Sequence, residues 1–185
     1  MRLCLAVEET DVIHQVLRGD VDSFKVLVER YQRPVIRIIR NITNDNNIGE
    51  DIAQDVFLTA YKKLRTFDRA RSNFSTWLFT ITRNKSLNAL KKKRPVSMSQ
   101  LPDKTDGRDP YGDLSEKEFF DKLDRILLTL PDRQKTAFVL AEFERLPYEQ
   151  IAQIEGVRIG TIKSRINRAK NKLKVALRDL EAEMP

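Results

Sequence analysis

Cysteine, histidine and glycine are scarce in this chain of 185 residues. There is one cysteine, Cys4, and one histidine, His14. A single thiol excludes an intramolecular disulfide. One Cys with one His supplies neither a Cys/His metal site nor a Cys–His nucleophile pair. His14 stands among Ile13, Val16 and Leu17 and reads as a helix-surface position. Glycine occurs six times, and no apolar–polar alternation lasts the length of a strand, which argues against sheet. No apolar run approaches the roughly 20 residues of a membrane span. The apolar patch Leu3 to Val7 is followed by Glu8 and Glu9 and does not read as a secretory signal. The sequence therefore predicts a soluble, cytoplasmic protein with no direct membrane insertion, no metal, no cofactor and no catalytic residue.

What the chain has is charge and helical periodicity. Lys and Arg number 34 against 27 Asp and Glu, a net +7. A basic balance points to a polyanionic partner, nucleic acid first among them. A first helix is predicted from Asp11 to Arg18, with Thr10 as N-cap and Gly19 as stop. A second starts at an Asp22 cap. Phe24, Leu27, Val28, Tyr31, Val35, Ile38 and Ile39 follow its i, i+3, i+4 spacing, and Pro34 predicts a kink or a break just before it. Asn41 to Asn47 reads as a loop. A third helix carries Ile48, Ile52, Val56, Phe57, Ala60 and Leu64 on one face and Glu50, Asp51, Gln54 and Asp55 on the other. After a polar loop, Thr66 to Asn73, a fourth helix runs from about Ser75 to Lys93 and stops at Pro95.

Residues 95–113 hold three Pro and two Gly with little hydrophobic periodicity, the composition of a linker. They divide an N-terminal helical domain from a C-terminal one. The second holds helices from about Ser115 to Thr129 and from Pro131 to Glu144, and then a helical pair.

That pair begins at Tyr148. Its first helix ends at Ile154, Gly156 supplies a positive-φ turn, and Ala152 is a small residue where two helices cross. The second helix starts near Ile159 and buries Ile162, Ile166, Ala169 and Leu173. Lys163, Ser164, Arg165, Asn167, Arg168, Lys170 and Lys172 occupy its other face. No acid occurs from Val157 to Arg178. A small residue four before a turn glycine, followed by an all-basic helix, is the pattern of a helix-turn-helix reading duplex DNA. A generic hairpin with a basic face is the bland alternative.

A second basic array lies in Phe74 to Arg94. From Lys62 to Arg94 eleven Lys or Arg face a single acid, Asp68. Asn84 and Asn88, at i, i+4, are modest helix formers whose amides can bond base edges. Phe67, Phe74, Trp77 and Phe79 can stack unpaired bases or serve as core, the reading favoured for Trp77. The acidic face at Asp51, Gln54 and Asp55 is a solvated surface or a protein-docking surface. It lacks the His that would suggest catalysis.

Taken together, DIAQDVFLTAYKKL, FSTWLFTITRN, LPDRQKTAFVLAEFERLPYEQIA and GTIKSRINRAK resemble the extracytoplasmic-function (ECF, group 4) alternative sigma factors of bacterial RNA polymerase. The resemblance implies an all-α chain of two small helical domains: sigma region 2 over residues 10–94 and sigma region 4, the helix-turn-helix, over 115–180, joined by a flexible linker over 95–114. It implies that Asp51, Gln54 and Asp55 bind core polymerase at the beta-prime coiled coil, with a second contact at the beta flap. Phe74, Arg83, Asn84, Asn88 and Lys91 are implied to bind the minus-10 element, and Thr161, Lys163, Ser164, Arg165, Asn167 and Arg168 the minus-35 element of promoter DNA. An anti-sigma factor, often membrane-anchored, is the implied regulator. Two competing readings are a dimeric helix-turn-helix repressor or activator, for which no ligand or receiver domain is found, and a nucleic-acid enzyme, for which the acids lack partners.

Overall fold

The computed structural model describes residues 9–45, 48–92, 126–127 and 129–182. Among them are seven α-helices: α1 (Glu9–Leu17), α2 (Phe24–Thr43), α3 (Gly49–Lys63), α4 (Phe74–Lys92), α5 (Asp132–Glu142), α6 (Tyr148–Glu155) and α7 (Ile159–Ala182). A single 3-10 turn, Leu64–Thr66, follows α3. The predicted linker lies outside the described residues, as does most of the helix expected from Ser115 to Thr129. No described helix is long and apolar enough to cross a membrane.

Local boundaries differ from expectation where side chains and packing override the pattern. Thr10 lies inside α1 rather than capping it. Ser23, not Asp22, precedes α2. The tight approach is made by Asp20, whose carboxylate accepts from the Ser23 hydroxyl at 2.6 Å and from its backbone N–H at 3.3 Å. Gly19 takes φ +107°, which stops α1 as predicted. The second helix runs unbroken through Pro34. Proline costs a helix one hydrogen bond, but α2 packs against α1, α3, α4 and α5, and burial on several sides holds it. The expected loop at Asn41 is helical: Asn41 Nδ2 donates to the Arg37 carbonyl at 2.8 Å. Helix α2 ends only at Asn44, whose φ of 55° is the left-handed C-cap.

Helix α3 opens with Glu50 and Asp51 and closes with Lys62 and Lys63, matching charge to the helix dipole at both ends. It buries Ala53, Val56, Phe57 and Ala60 against α2 and α4. Helix α4 is buried along Phe74, Leu78 and Phe79, and its buried hydroxyls bond within the helix, Thr82 to the Leu78 carbonyl at 2.9 Å and Ser86 to the Thr82 carbonyl at 2.8 Å.

The C-terminal helices do not stand apart. One apolar cluster runs from Leu27, Ile39 and Leu78 into Ala137, Leu140, Ile151, Ile154, Ile162 and Ile166. Helix α5 packs on α2, and α6 packs on α4. A second, smaller cluster joins Ile126, Leu127 and Leu130 to Ala169 and Leu173 of α7.

Candidate nucleic-acid interface

Helix α6, the turn at Gly156 and α7 form the predicted helix-turn-helix. Gly156 has φ 63°, and its N–H reaches back to the carbonyls of Ala152 and Gln153. Ile162, Ile166, Ala169 and Leu173 are buried, as their spacing requires. Lys163, Ser164, Asn167 and Arg168 are exposed, and spacings of one, four and five residues place them on one side of α7. Thr161 is half-buried at the start of that row, its carbonyl accepting the Ser164 hydroxyl at 2.9 Å.

Arg165 departs from the expected row. Its side chain is only 13% exposed, and its Nη1 lies 3.0 Å from Glu155 Oε2. It sits three residues after Ile162 and one before Ile166, so the helix carries it to the edge of the buried stripe, away from the exposed row. Lys170 is likewise engaged, 2.8 Å from Glu142. That hydrogen bond holds its ammonium above the ordinary lysine range.

On α4, Asn84, Asn88 and Lys91 are exposed on one side of the helix. Arg83 is partly covered: its Nε donates to Glu155 Oε1 at 3.0 Å and its Nη1 to Asn84 Oδ1 at 3.2 Å. Phe74 is corrected from a base contact to a core residue. It is 2% exposed, packed by Tyr31, Phe67 and Trp77 at centroid distances of 5.5 to 5.6 Å. Phe79 is buried as well, whereas Phe67 and Trp77 are half-buried and keep part of their rings at the surface. Beneath them, burial and then the hydrogen bond to Glu9 push the Tyr31 phenol well above its ordinary range.

The acidic face of α3 is intact. Asp51, Gln54 and Asp55 are exposed together, and Leu58 and Tyr61 continue the surface with apolar area. Asp55 reaches Lys85 of α4 at 3.6 Å, the carboxylate mostly in water and the lysine half-buried, and a pair so open on one side contributes little.

Sequence reasoning missed the contacts between the two groups of helices and, among the residues that make them, Glu155, Arg37, Glu144, Gln150, Lys135 and Asn44. Glu155 accepts from Arg83 and Arg165, Arg37 Nη1 donates to Glu144 at 2.9 Å, Thr76 donates to Gln150 at 3.0 Å, and Lys135 donates to the side chain of Asn44. Arg37 also lies over the Phe143 ring, 5.7 Å from its centroid. Burial pushes the Glu144 carboxyl up, and Arg37 draws it part of the way back.

Comparison with known proteins places the chain. The family model for Sigma-70 region 2 matches residues 27–96, and that for Sigma-70, region 4 matches residues 120–173. The ECF RNA polymerase sigma factor SigW of Bacillus subtilis is 31% identical, the match covering 91% of this chain and 96% of that protein. The ECF RNA polymerase sigma-E factor of Haemophilus influenzae is 33% identical, over 95% of this chain and 100% of that protein. Among solved structures, the sigma factor RpoE of Bartonella quintana, seen in complex with the anti-sigma factor NepR, is 28% identical with a TM-score of 0.67, covering 84% of this chain and 96% of that one. With two exposed basic rows, an acidic face and both region matches in this order, the chain belongs to the ECF sigma factors of RNA polymerase, which are transcription initiation factors.

Proposed function

We propose that this chain binds core RNA polymerase, directs it to a promoter with minus-35 and minus-10 elements, and assists the opening of the DNA in the cytoplasm. The observation that carries this reading is the exposed row Lys163, Ser164, Asn167 and Arg168 on the second helix of a helix-turn-helix with no acid from Val157 to Arg178. A helix of that kind enters the major groove and meets base edges with its N-terminal residues. With Thr161 the row serves minus-35 reading. Asn84, Asn88 and Lys91, with Arg83 once it is released, serve minus-10 reading. Half-open Phe67 and Trp77 offer ring surface to an unstacked base, and stacking contributes about 1–3 kcal/mol per base. Phe74 supports them from below.

Asp51, Gln54 and Asp55 are assigned to the beta-prime coiled coil. The helices after residue 114 are assigned to the beta flap. The assignment divides the chain into region 2 at 10–94, a linker at 95–114 and region 4 at 115–180. RNA synthesis stays with the polymerase. Control by an anti-sigma factor, soluble or membrane-anchored, is supported by the NepR complex of the Bartonella relative. Run-off transcription with core polymerase on a genomic promoter library tests the reading. Discrete start sites that need this chain are expected, and their absence would refute it.

A further inference from the structure

Helix α1 contributes no residue to the interfaces assigned above, yet it is tied to the ring surface on which bases are proposed to stack. Glu9, the first residue of α1, accepts a hydrogen bond from the Tyr31 hydroxyl of α2. Arg30 Nη1 lies 3.9 Å from the same carboxylate oxygen. The half-buried Tyr31 ring meets Phe74 at 5.6 Å and Phe79, edge-on, at 6.0 Å between centroids. Phe74 touches both rings of the surface, Phe67 edge-on at 5.5 Å and Trp77 at 5.6 Å. Phe67 and Trp77 are themselves 5.6 Å apart. A continuous path of contacts thus leads from one carboxylate to the exposed rings. Helix α1 also packs on the 3-10 turn Leu64–Thr66, and Phe67 is the next residue.

We infer that Glu9 and Tyr31 are positioning residues, which hold the Phe67–Trp77 surface ready for an unstacked base. The part that concerns bases rests on the promoter-opening proposal above. Phe67 stands in extended backbone just past the 3-10 turn, so the rings beside it, and not a helix, set the plane of its own. Phe74 is enclosed, and Tyr31 is the ring that backs it from α2. A phenol in such a place needs a partner for its hydroxyl. Glu9 supplies one, and with it a fixed depth and orientation for the Tyr31 ring. Without the acceptor the hydroxyl must reach water or stay unpaired at a cost, and the ring turns or rises away from Phe74. Rings ordered beforehand need no ordering when a base arrives, so more of the stacking energy appears as affinity. The acceptor in this scheme has only to be an oxygen. Its charge is not required.

The test uses the full chain and the variants Tyr31→Phe, Glu9→Ala and Glu9→Gln. The glutamine keeps an oxygen for the Tyr31 hydroxyl and loses the charge, so it separates the hydrogen bond from the approach of Arg30 and from the helix dipole. Helix content by circular dichroism checks folding. Trp77 is the only tryptophan of the chain, and acrylamide quenching of its emission reads the ring surface directly. Fluorescence anisotropy reads affinity for fluorescein-labelled oligothymidylate and for a labelled duplex of mixed sequence. At unchanged helicity, Tyr31→Phe and Glu9→Ala are expected to change the quenching of Trp77. They should also weaken binding of the single strand about threefold or more, a part of what one stacked base contributes, with duplex affinity kept. Glu9→Gln should stay close to wild type. If Tyr31→Phe and Glu9→Ala quench as wild type does, the positioning role is refuted. A Glu9→Gln variant that behaves like Glu9→Ala would overturn the hydrogen bond as its cause. If quenching changes but the single strand is bound as well as before, or weakens no more than the duplex, the rings are not held ready for a base. If the wild type binds no single strand although quenching changes as expected, the stacking reading fails and the positioning of the rings stands.

Discussion

Lys135 of α5 donates its ammonium to the side-chain oxygen of Asn44, the left-handed residue that ends α2. The lysine side chain is 2% exposed, and its nearest carboxylate, Asp132, is 3.9 Å away and mostly in water. A buried cation has thus been placed where the partial negative charge of a helix C-terminus meets it, with half of a salt bridge rather than a whole one.

Burial lowers the Lys135 pKa below its ordinary 10.5, with Asp132 opposing the shift. The folded chain then loses this proton at lower pH than the unfolded chain does. Between the folded value and 10.5 the unfolded state binds more protons, so stability attributable to Lys135 rises with pH across that window. Lys135→Met removes the charge and leaves Asn44, which is exposed, to water. The variant is expected to be about 1 kcal/mol more stable at pH 7, with the advantage shrinking toward pH 10.5. Thermal melts of both proteins from pH 7 to 10.5 check this. A variant less stable at pH 7, or a constant difference, contradicts it.

Two glycines of the helix-turn-helix have opposite expectations. Gly156 sits at φ +63° with open space where a Cβ would go. Gly156→Ala therefore meets only backbone strain, about 1–2 kcal/mol for an L-residue in the left-handed region. Gly160 lies inside α7, also in open space and without positive φ. Gly160→Ala is expected to add about 0.5–1 kcal/mol through helix propensity. Urea titrations of both variants should move in opposite directions, and equal shifts would contradict the argument.

These positions also mark what the sequence makes legible. Periodicity locates α3, α6 and the buried stripe of α7, because each faces one core at a regular spacing. It misplaces Arg165 and leaves Glu155 unnoticed for the same reason. Ile151, Ile154 and Glu155 follow i, i+3, i+4, as do Ile162, Arg165 and Ile166, so both charges lie at the margin of an apolar stripe. A pattern that sorts residues into apolar and polar assigns such charges to water. Only the helix opposite decides otherwise, and the contact between α4 and α6 joins residues more than 70 positions apart, which no local spacing encodes. The helical course of Asn41 to Thr43 escapes for a related reason: their helix is held by Ile38, Ile39 and Ile42 in the core, not by the propensity of asparagine.

The acidic face of α3 makes a prediction about polymerase alone. Asp51 is exposed in the first turn and shares its face with Gln54, Asp55 and the apolar area of Leu58. Asp51→Lys reverses a surface charge without touching the core. It is expected to weaken binding to core polymerase at least tenfold, since a like-charge juxtaposition at an interface costs on the order of a few kcal/mol, while lowering stability by about 0.5 kcal/mol or less through the helix dipole. Titration of labelled chain with core enzyme, beside a thermal melt, separates the two effects. Unchanged affinity would remove α3 as the docking surface.

Arg168 provides the most direct check on sequence reading. It is exposed on α7, one residue past Asn167 and four past Ser164, and no acid follows on the helix until Asp179. A guanidinium there can take a guanine by two parallel hydrogen bonds, a contact that discriminates bases by about 1–3 kcal/mol. Lys174, further along the exposed side of the same helix, is placed for phosphate instead. Arg168→Ala is expected to lower transcription from a cognate promoter about 5- to 150-fold and to relax preference at one minus-35 position. Lys174→Ala should weaken all promoters about equally and reduce the salt dependence of binding by about one unit of log–log slope. Reporter assays on a promoter library randomised at the minus-35 element distinguish the outcomes. If Arg168→Ala lowers every sequence equally, Arg168 contacts the DNA backbone and not a base.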